Sequence, residues 1–175
     1  MNKAEGFIGT GLKRDEGEFV EECSDIDDII VFRRDGKMIV TRISAKSFVG
    51  KDIIYCAVWK KDDKRTIYNL MYKDGRNGAM MKRFAVTAIT RDKEYDLTKG
   101  TPGSEVVYFS ANPNGEAEVV TVHLRALDKL KKLTFDVDFA QLAVKGRDAV
   151  GNIVTKYAVK KVELKEKGRS EERRV

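Results

Sequence analysis

Residues 27–43 read DDIIVFRRDGKMIVTRI. Two runs rich in β-branched and apolar side chains, 29–32 and 38–43, flank the dipeptide Asp35-Gly36. Asp-Gly supplies the positive φ that a tight hairpin turn requires, and the flanking residues favour a pleated, half-buried surface. The stretch predicts a β-hairpin. The same grammar continues downstream, with strand signals over 53–59, 66–72, 106–109, 119–124 and 153–164. Turn signals separate them at Asp74-Gly75, Asn114-Gly115 and Val150-Gly151. One short helical turn is expected near 127–133, and no longer helical periodicity is present.

The turn glycines are evenly placed. Gly36 to Gly75 is 39 residues, Gly75 to Gly115 is 40 and Gly115 to Gly151 is 36. The residues after three of them recur as GKMIVTR, GEAEVVT and GNIVTK. Phe7-Ile8-Gly9 returns 41 residues on as Phe48-Val49-Gly50. A period near 40 predicts an all-β, propeller-like repeat of about four blades, in a ring that is open or truncated. An ordinary β-sandwich with evenly spaced hairpins is the competing architecture. Trp59 precedes Lys60, so the Trp-Asp signature of the commonest propellers is absent. The repeat spans 1–164. Residues 165–175 are charged and without periodicity, and are expected to be a disordered tail.

The chain has 175 residues, with 34 Lys+Arg against 28 Asp+Glu, a net +6. Residues 15–28 carry eight acids and no base, whereas 29–175 carry 31 bases and 19 acids, a net +12. A basic body of this kind suits a polyanionic partner. One His and two Cys cannot make a four-ligand zinc site or a disulfide framework, and point to a reducing, cytoplasmic setting. No apolar run approaches the ~20 residues of a membrane span, and no apolar leader follows Met1.

Enzyme chemistry finds no foothold. His123 lies within the alternating stretch VVTVHLRAL and reads as a strand residue. Cys23 and Cys56 have no neighbouring bases to lower their pKa. The acidic run does not match an EF-hand loop, and GFIGTG lacks the Lys-Ser/Thr ending of a P-loop. Asp136 and Asp138 share a strand face, with nothing else converging on them. No catalytic residue and no metal ligand is assigned. The cations are more informative. Arg33, Arg34, Lys37, Arg42 and Lys51 form one set; Arg76, Lys82 and Arg83, near Lys73, form a second; Arg147, Lys156, Lys160 and Lys161, near Lys145, form a third. Repeated around an outer rim, they make a curved basic track suited to a phosphate backbone. Alternatively, they guard strand edges against pairing.

Four stretches, DDIIVFRRDGKMIVTRI, RTIYNLMYKDGRNGAMMKRFAVTAI, SEVVYFSANPNGEAEVVTVHL and KGRDAVGNIVTKYAVKKVEL, together resemble the C-terminal domain of the A subunit of bacterial type IIA topoisomerases. That group comprises DNA gyrase and topoisomerase IV, and the wording is closest to Bacteroidetes A subunits. The resemblance implies a β-pinwheel whose blades exchange strands and whose basic rim binds and bends duplex DNA without sequence preference. It implies that the chain is part of a longer subunit. Its partners would be the catalytic domain of that subunit, the ATPase B subunit and DNA, at the nucleoid. ATP and Mg would be used elsewhere in the holoenzyme, with no cofactor in this chain. The isolated domain is expected to be monomeric. The strand-breaking tyrosine of the family follows an arginine, and none of the six tyrosines here does. Gyrases carry a basic heptapeptide, Gln-Arg-Arg-Gly-Gly-Arg-Gly. Its place here is KAEGFIG, where Lys3, Gly6 and Gly9 are what remains. That departure favours a topoisomerase IV-like role over gyrase wrapping. A propeller-like protein-interaction module is the alternative function.

Overall fold

The computed structural model describes residues 1–76, 78–127 and 130–167. Its regular elements are fourteen strands and one 3₁₀ turn. They fall into two compact units, Met1–Asp63 with Thr87–Leu97, and Lys64–Val86 with Thr98–Val175.

In the first unit, β2 (Asp28–Arg33) and β3 (Lys37–Arg42) form the hairpin expected around Asp35-Gly36. The outer strand β5 (Ile53–Trp59) pairs with β2, and β8 (Tyr95–Asp96) pairs with β3. A smaller sheet joins β1 (Phe7–Ile8) to β4 (Ser47–Phe48). Beyond β1, Asn2 N donates to Phe7 O at 2.8 Å, and Met1 and Glu18 exchange backbone bonds at 2.8 Å. The small sheet thus repeats the larger one in miniature. Four consecutive residues of β2, Ile29 to Phe32, are buried because both sheet faces are covered. Ile8, Ile29, Val31, Val49, Ile53 and Cys56 form one core cluster.

In the second unit, β6 (Ile67–Lys73) and β7 (Ala79–Ala85) form the hairpin, and β9 (Glu105–Asn112) pairs with β6. Two later strands reach β7: β12 (Val144–Gly146), parallel, and β13 (Asn152–Thr155), antiparallel. The remaining sheet places β10 (Glu118–Leu124) between β11 (Thr134–Asp138) and β14 (Val159–Lys167). The strict alternation of burial along β10 marks a sheet with one covered face. The 3₁₀ turn is Phe139–Gln141; Phe139 packs with Val120, Val122 and Val159.

Chain order and pairing disagree in a regular way. β4 follows the β2–β3 hairpin but pairs with β1; β8 follows β6–β7 but pairs with β3; β13 follows β10–β11 but pairs with β7. Each hairpin is followed by a strand given to the preceding sheet. This is an all-β repeat of strand-exchanging blades, and none of its sheets closes into a barrel.

Three details differ from the sequence reading. The even glycine period is not the blade period. Gly36 and Gly75 lie in hairpin turns, but Gly115 joins β9 to β10 and Gly151 separates β12 from β13. The glycines that immediately precede the second hairpin strand are Gly6, Gly36 and Gly78, 30 and 42 residues apart, because connectors differ in length. Phe7-Ile8 and Ser47-Phe48 are not copies in successive blades but strands paired to each other. In the short turn expected near 127–133, Leu130 N bonds to Leu127 O, and residues 128 and 129 lie outside the described residues. Finally, β14 runs to Lys167, where Glu118 faces it, three residues past Leu164. Residues 168–175 lie outside the described residues.

Candidate nucleic-acid interface

Of the first-unit cations, Arg33, Arg34 and Lys37 lie at the β2–β3 turn and Arg42 at the far end of the hairpin, opposite Asp28. Arg33 does not reach freely into solvent. Its guanidinium bonds to Asp35 at 2.8 Å, Glu94 at 3.0 Å and the Val49 carbonyl at 3.0 Å. It lies so close over Gly50 that a Cβ there would sit 2.0 Å from Nη1. Partial burial opposes its charge, but the Asp35 and Glu94 carboxylates more than offset this and hold its pKa above the usual value. Lys37 pairs with Asp96 at 2.9 Å, and Arg42 with Asp28 at 3.4 Å, an acid that also holds Arg91 at 2.9 Å. Arg34 and Lys51 are exposed and have no side-chain partner among the described residues. Arg34 N bonds to Asp52 O at 2.9 Å, which brings the two cations to neighbouring backbone.

In the second unit, Arg76 projects from the β6–β7 turn and is exposed. Two expected contacts are corrected. Lys82 and Arg83 are each only 3% exposed. Lys82 Nζ donates to the carbonyls of Arg147 at 2.7 Å and Ala149 at 2.8 Å, and stands 5.0 Å over the Phe84 ring. Arg83 Nη2 donates to Gly115 O. A buried cation persists only where acceptors replace water, and here carbonyls take the Lys82 ammonium and one nitrogen of Arg83. Both side chains are internal fasteners, closed off from a phosphate. Arg147 is half-buried, with its carbonyl taken by Lys82. Lys156 is exposed, its ammonium 5.4 Å from the Tyr157 ring centroid. Lys160 and Lys161 lie exposed on β14; Lys161 pairs with Glu163 at 3.0 Å, which His123 also contacts at 3.1 Å. Glu163 is held below the usual carboxylate range by Lys161 and then His123.

The heptapeptide remnant has a structural explanation. A Cβ on Gly6 would lie 2.0 Å from Gly50 O, and one on Gly9 would lie 2.1 Å from Ala45 O. Both glycines let β1 approach the β4 segment, while Lys3 pairs with Glu18. The sequence reading passed over other exposed cations: Lys46, Lys60, Lys61, Lys64, Arg125, Lys131 and Lys132. All lie in connections, away from the glycine hairpins whose pattern is legible in the sequence. Cys23 and Cys56 are unpaired. Among the described residues no helix is long and apolar enough to cross a membrane.

The family model for the topoisomerase C-terminal domain of the Bacteroidota matches residues 1–167. The chain belongs to this family. As a topoisomerase C-terminal domain it accords with the resemblance carried by the four repeated stretches. No curated protein matches it. A solved structure similar to this topoisomerase C-terminal domain is the "Crystal structure of the C-terminal domain of DNA topoisomerase IV", at 10% identity and a TM-score of 0.47. The alignment covers 81% of this chain and 47% of that one, so the chain spans about half of its length.

Proposed function

We propose that this domain binds and bends duplex DNA without sequence preference, as the accessory C-terminal domain of a type IIA topoisomerase A subunit. The observation that carries the reading is the set of exposed cations without carboxylate partners, Arg34, Lys51, Arg76, Lys156 and Lys160, on turns and strands of successive blades. Point charges on strand turns suit phosphates. No element among the described residues resembles a base-reading helix. Arg76 on one blade and Lys160 on the next belong to the same unit, so a duplex that meets both gains contacts by bending.

Within the holoenzyme, ATP and Mg are used by other parts; this chain contributes neither catalytic residue nor cofactor. Its partners are the DNA, the catalytic domain of its own subunit and the ATPase B subunit, in the cytoplasm at the nucleoid. The isolated domain is a monomer. The absence of arginines around Gly6 and Gly9 supports a topoisomerase IV-like role over gyrase wrapping.

Fluorescence anisotropy with two unrelated duplexes, across a salt series, tests the binding. Neutralising about five phosphates gives a log–log salt slope near −4 to −5, alike for both duplexes. A slope near zero, or strong discrimination between the duplexes, rejects the reading.

A further inference from the structure

Two of the exchanged strands place an outward-facing pair at a common position. β1 and β3 begin at Phe7 and Lys37, directly after Gly6 and Gly36, and β7 begins at Ala79 after Gly78. Across the ladder, Lys37 faces Asp96 and Phe7 faces Phe48, whereas in the third sheet Ala79, which faces Thr155, is buried in the core. The Phe7 and Lys37 positions also correspond at the next residue along: Val49 N donates to Gly6 O and Leu97 N to Gly36 O, each at 2.8 Å. Where one sheet has an ion pair at 2.9 Å, the small sheet has two phenyl rings with centroids 5.3 Å apart.

Phe48 is 62% exposed. It is also rigidly seated. Ile8 and Val49, beside the ring pair, are buried in the core, and the tight approach of Gly6 to Gly50 leaves the strand no slack. Lys46, in the connection just before β4, holds its ammonium 4.8 Å from the Phe7 ring centroid. Exposed Lys51 lies three residues on, and residues 44–51 contain no acid. A supported aromatic ring rimmed by cations matches the surface that protrudes into a stacked duplex while lysines hold the flanking phosphates.

We propose that Phe48, backed by Phe7, is a wedge that enters a base-pair step of the bound duplex, with Lys46 and Lys51 on the adjacent phosphates. The inference rests on the DNA-binding reading above. A wedge prefers a step that is already weakly stacked. The test compares the parent with Phe48→Ala on an intact duplex and on the same duplex with a central mismatch, with bending followed by FRET. The parent should bind the mismatched duplex about 3–10-fold more tightly. Phe48→Ala should lose that preference and part of the bend, while keeping its melting temperature and its salt slope on intact DNA. A parent that binds both duplexes with the same affinity and a steep salt slope overturns the wedge and leaves the DNA-binding reading standing. So does a Phe48→Ala variant that keeps the preference. A parent that binds neither duplex overturns both.

Discussion

The ammonium of Lys82 lies 2.7 Å from the carbonyl oxygen of Arg147, 65 residues further along the chain. A residue that reads as a DNA contact therefore spends its charge inside the protein. With Tyr72, whose hydroxyl donates to Val150 O at 2.6 Å, it fixes the loop between β12 and β13. Lys82→Met keeps the apolar stem but leaves the Arg147 and Ala149 carbonyls without this donor. A loss of about 1–3 kcal/mol in urea unfolding is expected. Amide exchange should rise across 147–151. The salt slope of DNA binding should not change. A slope lowered by about one, with unaltered stability, would put the ammonium on a phosphate instead.

The exposed cations should behave in the opposite way. Arg34→Ala, Lys51→Ala, Arg76→Ala and Lys160→Ala remove side chains that are exposed and unpaired among the described residues. Stability should stay within about 0.5 kcal/mol of the parent. Each substitution at a phosphate contact should weaken binding to all duplexes alike and lower the salt slope by about one. Anisotropy titrations at several salt concentrations check this. If all four keep the parental slope, the interface lies elsewhere.

Cys56 gives the first unit an alkaline limit. Its thiol is 6% exposed, and burial pushes its pKa from 9.0 up to about 11. The folded state holds this proton more tightly than the unfolded state. The stabilisation is complete below pH 9 and is lost as pH rises from about 9 to 11, at no more than about 1.4 kcal/mol per pH unit. Urea unfolding across that range should show a shallower pH dependence in Cys56→Ala than in the parent. Below pH 9, thiol reagents should modify half-buried Cys23 well before Cys56.

Glu118 tests the polar centre of the second unit. It is 2% exposed, and its Oε2 accepts from Tyr108 at 2.8 Å, Ser110 at 2.5 Å and Asn69 at 3.2 Å. Burial first, and then this carboxylate, hold the Tyr108 phenol well above its ordinary pKa. Glu118→Gln retains an acceptor but adds amide hydrogens to a site already full of donors. A destabilisation of about 1–3 kcal/mol is expected by urea unfolding. A neutral result would show that the site rearranges at no cost.

Much of the fold was legible because strand formation depends on local pattern. The β2–β3 hairpin follows from apolar runs on either side of Asp35-Gly36, and the alternation along 118–124 foretells a sheet with one wet face. The candidate interface was legible only in part. Arg76 and Lys82 look equivalent in sequence, both cations near one hairpin turn, yet one is exposed and the other buried.

What the sequence alone determined is the class of structure: strands, their hairpins, an excess of cations and the family. Short-range periodicity and turn chemistry suffice for these. What only the tertiary structure decided is which partners those strands take. β7 buries Lys82 because β12 and β13 arrive beside it from residues 144–155, after an intervening hairpin. Phe7 and Phe48 resemble a repeat in sequence because each occupies one strand of the same pair. Such pairings join residues tens of positions apart. No local pattern encodes them, since a strand edge offers the same amide and carbonyl groups to any partner, and burial of the whole surface makes the choice.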